Sequence, residues 1–399
     1  MKKIDVAIEK FPDDRIVDNE TYRSQEVYDR ELRDIFDRCW LFACHESEIP
    51  EPGDFVTLRV AESPIIINRT KNGELNAMHN VCRHRGALLT DESSGHCANF
   101  RCAYHFWTYS LEGELIALPG EEAYDGTGFS KEDFGLARIR IANLFGLVFI
   151  NFSDDDMTLE EWIGPEMIEI LARPLKDNKM VVDQHHRHHE DINWKVFAEN
   201  SRDGYHVPFV HPFFRHSSPP GDYHLFRNSH ARQEVGMAFD KMDPRLADDL
   251  QKVVLPGLDP HEGFVVNIFP DLLISLRANM VSISSQELDG PTGVFMEHRV
   301  MRLEDDDAET IALRNTSFKA WVGDRVDLED EPVFRLQQAG VRSRHVTKSV
   351  IARGADATSG QRGDDNRLRH FWVTWRKMLG VEKNSLSESE RQPSEEPTR

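Results

Sequence analysis

Two short stretches, "NVCRHRG" at 80–86 and "RCAYHFW" at 101–107, limit this chain more than anything else in it. The first carries Cys82 and His84 as C-x-H, and the second Cys102 and His105 as C-x-x-H. With five cysteines and 18 histidines in 399 residues, chance yields such a pattern roughly once in several thousand chains. Two loops that each hold one thiol and one imidazole must meet around a metal centre, and the surrounding fold has to present them side by side.

The rest of the composition says where such a centre would sit. The longest apolar run, "LFGLVFINF" at 144–152, is too short to span a bilayer. The start, "MKKIDVAIEKFPDDRIVDNE", lacks the apolar segment of a secretion signal, so a cytoplasmic location and no membrane partner are expected. Five cysteines in 399 residues then describe a reduced chain, in which cysteine is expected to bind metal sooner than to form disulfides. A net charge of −21 offers no basic stripe for phosphates, which excludes a nucleic-acid partner. Apolar residues at 39% and charged residues at 29% describe a soluble globular chain, long enough for two packed units.

Along the chain, 1–37 reads as an N-terminal helical arm, with Val27, Leu32, Ile35 and Phe36 at helical spacing in "SQEVYDRELRDIFDRCW". Residues 38–155 read as an all-β unit: "DFVTLRV", "SPIIINR" and "GLVFINF" are strands separated by turns such as "PEPGD" and "KNGE". From 156 to 380 helices ("MTLEEWIGPEMIEILARPL", "NWKVFAENSRD", "EDEPVFRLQQAG") mix with strands ("GFVVNIF", "DLLISLRANMVSIS", "GVFMEHRVMRL"), an α+β unit. The last segment, 381–399, is polar and rich in Ser, Glu and Pro, and is expected to be disordered.

Zinc competes for the four ligands, but in zinc fingers both cysteines usually precede both histidines. Here each loop supplies one of each. That alternation suits a [2Fe–2S] centre in which two thiolates hold one iron and two imidazoles the other. At these residues the chain resembles the Rieske domain, with Cys82, His84, Cys102 and His105 on the family's cluster positions and "HNVCRHRGA" and "YHFWTY" around them. The family's second loop commonly reads C-P-Y-H-G-W, whereas Ala103 and Phe106 stand here in place of Pro and Gly. Cys39, Cys44 and Cys97 are left over; the first two flank apolar residues and are expected to be packed thiols.

A second constellation lies in "NWKVFAENSRDGYHVPFVHP", where Asp203, His206 and His211 form D-x-x-H-x4-H. The His spacing alone is expected about once by chance in a chain this rich in histidine. Its setting is more telling: Gly204 and Pro208 end the helix, so Asp203 and His206 project from irregular backbone. A ferrous ion that binds O2 wants two imidazoles and one carboxylate on one face. From Asn193 to His211 the chain is similar to the catalytic domain of ring-hydroxylating oxygenase large (alpha) subunits. In that resemblance "LEDEPVFRLQQAG" supplies the third ligand, Asp330, with Gln338 eight positions on. The competing reading of Asp330 is a helix N-cap; the ligand role is favoured over it because such a site requires a carboxylate, with Asp327 and Glu329 as fallbacks. Asp203, three residues before His206, is placed to orient that imidazole and is the catalytic candidate. The run "HHRHH" (His185, His186, His188, His189) reads as a solvated strand edge with no second cluster.

The resemblance runs from about Trp40 to Gly380. It implies a Rieske domain ahead of a helix-grip (START-like) catalytic domain with an antiparallel sheet, a [2Fe–2S] cluster and a mononuclear non-haem Fe(II). It also implies a homotrimer or an alpha3beta3 assembly with a small beta subunit. Electrons from NAD(P)H would come through a separate reductase, with or without a ferredoxin, to hydroxylate or cis-dihydroxylate an aromatic substrate. The ending "GQRGDDNRLRHFWVTWRKMLG" looks like the branch acting on aromatic acids, where Arg362 or Arg277 could clamp a carboxylate. Residues 264–276, with Phe209, Phe213 and Phe214, are expected to line an apolar pocket. The other class is a Rieske electron-transfer or ligand-binding protein without oxygenase activity.

Overall fold

A computed structural model describes residues 13–215, 223–235, 244–322, 328–355 and 363–381. The disordered tail expected at 381–399 falls, after its first residue, outside them, as do Asp327 and Arg362.

Two seven-stranded antiparallel sheets organise the chain. The first runs Leu41–His45, Leu147–Asn151, Arg138–Leu144, Leu75–His79, Ser63–Arg69, Asp54–Val60 and Ser94–His96. A three-stranded sheet of Phe100–Arg101, Thr108–Tyr109 and Leu115–Ala117 stands beside it. Beneath the two Cys/His loops lies a separate apolar core that includes Phe55, Met78, Phe100, Trp107 and Leu136.

The second sheet runs Met180–Glu190, Val294–Leu303, Met280–Leu288, Leu272–Arg277, Gly263–Ile268, Ala231–Glu234 and Tyr223–Leu225. "DLLISLRANMVSIS", expected as one strand, is two: Ala278 and Asn279 form the turn of a tight hairpin in which Arg277 pairs with Met280. The apolar run hides that turn because both arms are buried. Likewise "MTLEEWIGPEMIEILARPL" is not one helix but Leu159–Ile163 and Pro165–Leu175. Gly164, at φ +86, breaks it, a backbone conformation open to glycine without steric cost.

On one face of this sheet Phe264, Val266, Ile268, Ile274, Leu276 and Ile283 join a large core. The same core takes in Ile65, Ile67 and Phe149 of the first sheet, so apolar packing is continuous through both. The arm is more than helical. Gln25–Glu31 is followed by a π-helical turn at Leu32–Phe36. Ahead of them Ile16–Asp18 pairs antiparallel with Lys348–Val350.

Candidate metal centres

The backbone bonds each Cys/His stretch into a closed loop. In the first, the Cys82 N–H donates to the Ala87 carbonyl (2.8 Å) and the Gly86 N–H to the Cys82 carbonyl (3.0 Å). In the second, the Cys102 N–H donates to the Trp107 carbonyl and the Phe106 N–H to the Cys102 carbonyl, both 2.9 Å. Both thiols are buried. The Tyr109 hydroxyl lies 3.5 Å from Cys82 Sγ and accepts the Arg83 N–H at 3.0 Å. The imidazoles of His84 and His105 meet edge to face with centroids 4.6 Å apart, and the Trp107 indole stacks on His84 at 5.0 Å. In both imidazoles Nδ1 is buried without a hydrogen-bond partner. Buried polar atoms are rarely left so. Two orphaned nitrogens on neighbouring imidazoles, with a buried thiol in each of the same two loops, fit a [2Fe–2S] cluster. Phe106, where the family has Gly, adopts φ +59. The departure therefore falls in a left-handed conformation that L side chains rarely take, with the Arg101 guanidinium 5.2 Å from the Phe106 ring.

The second centre is built by two elements far apart in sequence. The helix Trp194–Asn200 ends in a turn that carries Asp203, and His206 and His211 flank the short helix Val207–Val210. Asp330 comes from the first turn of Leu328–Val341. It lies inside that helix, 5% exposed, with its carboxylate facing the two imidazoles. Asp330 Oδ1 lies 3.2 Å from His211 Nε2 and 3.7 Å from His206 Nε2, and it accepts the Asn200 amide at 3.3 Å. One donor atom from each of His206, His211 and Asp330 lies within 4.8 Å of the others. The far nitrogens are tied as well: His206 Nδ1 to Asp203 (3.2 Å) and His211 Nδ1 to Glu329 (2.8 Å). Such carboxylate partners fix tautomer and ring direction at metal sites. Burial would lower the His211 pKa, but Asp330 and Glu329 outweigh it and raise it. Burial would raise that of Asp203, but His206 and the Tyr205 N–H outweigh it. The pocket thus favours positive charge where the three donors converge. Two imidazoles and one carboxylate on one face are the donor set of non-haem Fe(II).

Sequence spacing did not anticipate Glu329 as the His211 partner, although it flagged the residue as a carboxylate to watch. Gln338 is not at this centre: its side chain accepts the Asn193 N–H and donates to the Tyr22 carbonyl. Phe209 is exposed, while Phe214 is buried against His211 at 6.0 Å between ring centroids; the Phe213 side chain lies outside the described atoms. Cys39 and Cys44 are buried, which pushes both thiols up. The "HHRHH" strand is an edge, but a second cluster does accompany it, since His188 approaches Glu190 and Glu331. Arg335 takes both of those carboxylates. A cavity of about 740 Å³ between the two sheets is lined by Glu48, His185, Arg187, Glu297 and Arg299. These charges pair with one another, and none of the metal-site residues lines it.

Residues 39–134 match the Rieske [2Fe-2S] domain and residues 178–380 the ring hydroxylating alpha subunit (catalytic domain). The 2-aminobenzenesulfonate 2,3-dioxygenase subunit alpha of Alcaligenes sp. is 30% identical over 379 residues, covering 93% of this chain and 95% of that one. This chain is a ring-hydroxylating oxygenase alpha subunit. Terephthalate 1,2-dioxygenase, terminal oxygenase component subunit alpha 2, of Comamonas sp. is 29% identical over 91% of this alpha subunit and 93% of its own length. The fold matches naphthalene 1,2-dioxygenase from Rhodococcus sp. with a TM-score of 0.79 at 22% identity, over 91% of this chain and 94% of that one. As an alpha subunit of this family it is an oxidoreductase with a Rieske [2Fe–2S] cluster and a mononuclear non-haem iron. No described helix is long and apolar enough to cross a membrane.

Proposed function

We propose that this alpha subunit hydroxylates or cis-dihydroxylates an aromatic acid, with Cys82, His84, Cys102 and His105 holding the cluster and His206, His211 and Asp330 holding Fe(II). The observation that carries the reading is the presence of both donor sets in one chain. The curated relatives above act, by their names, on an aromatic sulfonate and an aromatic dicarboxylate, which supports an acid substrate. Bound at these sites, the two centres supply one-electron transfer and O2 activation.

The residues do the rest. Asp203 and Glu329 hold the imidazoles by their Nδ1 atoms, leaving both Nε2 atoms aimed at the metal position. Asp203 is also the residue proposed to link the two centres, through a neighbouring subunit's cluster in a trimer with or without a small beta subunit. Electrons from NAD(P)H reach the cluster through a separate reductase, directly or by way of a ferredoxin. The test is iron and sulfide content followed by turnover with candidate aromatic acids, a surrogate reductase and labelled O2. Three irons and two acid-labile sulfides per chain, with label in a ring hydroxyl, are expected. Two irons and no labelled product would leave only an electron carrier.

A further inference from the structure

We infer that the polar face of the catalytic sheet is an oxyanion-binding floor for the substrate, with Gln233, Asn267, Ser275 and Ser282 as its specificity-determining residues; this rests on the reading of the protein as an aromatic-acid oxygenase. Strand alternation separates two faces. In 264–276, Phe264, Val266, Ile268, Leu272, Ile274 and Leu276 all point to the apolar core, so the expected apolar lining is turned away. The alternate positions form the other face. There Gln233 pairs with Val265, Val265 with Ser275, and Ser275 with Ser282, while Asn267 lies two residues from Val265.

These four polar side chains are at most 5% exposed. Gln233 Nε2, Asn267 Oδ1, Ser275 Oγ and Ser282 Oγ have no hydrogen-bond partner. Four orphaned polar atoms across four neighbouring strands call for a bound polar group or ordered water. The face also reaches the turn that leads into the iron site. The Asn267 amide donates to Ser201 Oγ at 3.0 Å, two residues before Asp203. Apolar side chains cover it: Phe318 packs on Met280 and Val300, and Val322 joins that group to Phe214 beside His211.

An apolar cover over a polar floor suits a ring bearing one strongly hydrogen-bonding group. Three of the four orphaned groups are donors or hydroxyls, and none of the four residues is a carboxylate. Arg277, two residues beyond Ser275, lies on the same face, its guanidinium donating to the Val235 carbonyl at 3.3 Å. That chemistry selects an anion, carboxylate or sulfonate, over a cation. Asn267 Oδ1, the one of the four that can only accept, suits an N–H or O–H substituent on the ring.

The experiment is a 19F NMR titration of the iron-loaded enzyme with 4-fluorobenzoate, 4-fluorobenzenesulfonate and 4-fluorotoluene, on wild type and on Ser275→Ala, Ser282→Ala and Gln233→Leu. Wild type should bind at least one acid, and the two acid arms show which oxyanion fits. Each variant should raise the Kd for that acid about tenfold or more, the loss expected for a bond to a charged group, and leave 4-fluorotoluene within about twofold. Each serine variant removes a single oxygen, so two of the three leave the packing intact. Unchanged acid affinity in the variants, or equal loss for the neutral ring, overturns the floor and assigns the orphaned atoms to water. A wild type that binds 4-fluorotoluene but neither acid overturns the aromatic-acid reading as well.

Discussion

Glu329 and Asp330 are sequence neighbours with different tasks. Asp330 faces both Nε2 atoms, whereas Glu329 takes the His211 Nδ1–H from the opposite side at 2.8 Å. Glu329→Gln should lower ferrous affinity about tenfold to a hundredfold, read by chelator competition, with the [2Fe–2S] absorption unchanged. Asp330→Asn removes the anionic donor itself, so the mononuclear iron should be lost outright while far-ultraviolet helicity holds. Retained iron and full turnover would reduce Asp330 to a helix-end residue. The imidazoles and Asp203 were legible because their setting within twenty residues carries the signal. Asp330 came from the resemblance rather than from spacing, since consecutive carboxylates of a first helical turn differ only in direction; its carboxylate faces both Nε2 atoms.

The helix Trp194–Asn200 is aimed by buried charges that spacing could not reveal, because the partners lie about 140 to 180 residues away. Lys195 donates to Glu31 at 2.6 Å with both side chains fully buried, and Glu31 also accepts the indoles of Trp194 and Trp375. One turn on, Glu199 accepts from Tyr22, Trp372 and Gln337. The arm and the last helix, Asn366–Met378, thereby hold the element that leads into Asp203. Glu31→Gln strands an ammonium ion and should cost about 3–5 kcal/mol in urea unfolding. Adding Lys195→Met should recover much of it. If the single variant is as stable as wild type, the pair does not hold the helix. The polar face of the sheet was within reach of sequence reading: Asn267, Ser275 and Ser282 each stand between two apolar residues of their own strand, the alternation of a two-faced sheet, inside runs that look simply apolar.

At the scale of the molecule, burial sets an acid limit. It pushes His45 down to about 4, His230 to about 3 and His298 to about 4. His230 is locked neutral, accepting the Phe269 N–H at Nδ1 and donating from Nε2 to the Trp162 carbonyl. Their folded values lie below the ordinary imidazole value, so the unfolded chain binds more protons; their stability is full above pH ~6.5 and is lost as pH falls toward ~4. Asp271 acts oppositely, since burial raises it to about 6 and makes the fold lose stability as pH rises from ~4 to ~6. The three buried imidazoles outweigh this one carboxyl, so among these four groups the net direction is a loss of stability as pH falls from ~6.5 toward ~4, on the order of a few kcal/mol. Urea midpoints at pH 7, 6 and 5 check it; a flat profile would mean that these histidines protonate without unfolding.

The pairing of Ile16–Asp18 with Lys348–Val350 also puts a clock on the chain. The first sheet needs only residues 41–151, so its hydrogen bonding can close while the ribosome is still making the rest. The mononuclear site cannot, because its braces wait for Asp330, Trp372 and Trp375. Until then the strand Ile16–Asp18 has no partner, and Glu31 and Glu199 lack the indoles of Trp375 and Trp372. Maturation is therefore expected to be sequential, with the sulfur cluster loaded early and the single iron last. Nascent chains stalled near residue 200 should already show cluster absorption, and chains stalled there that bind neither centre would break that order.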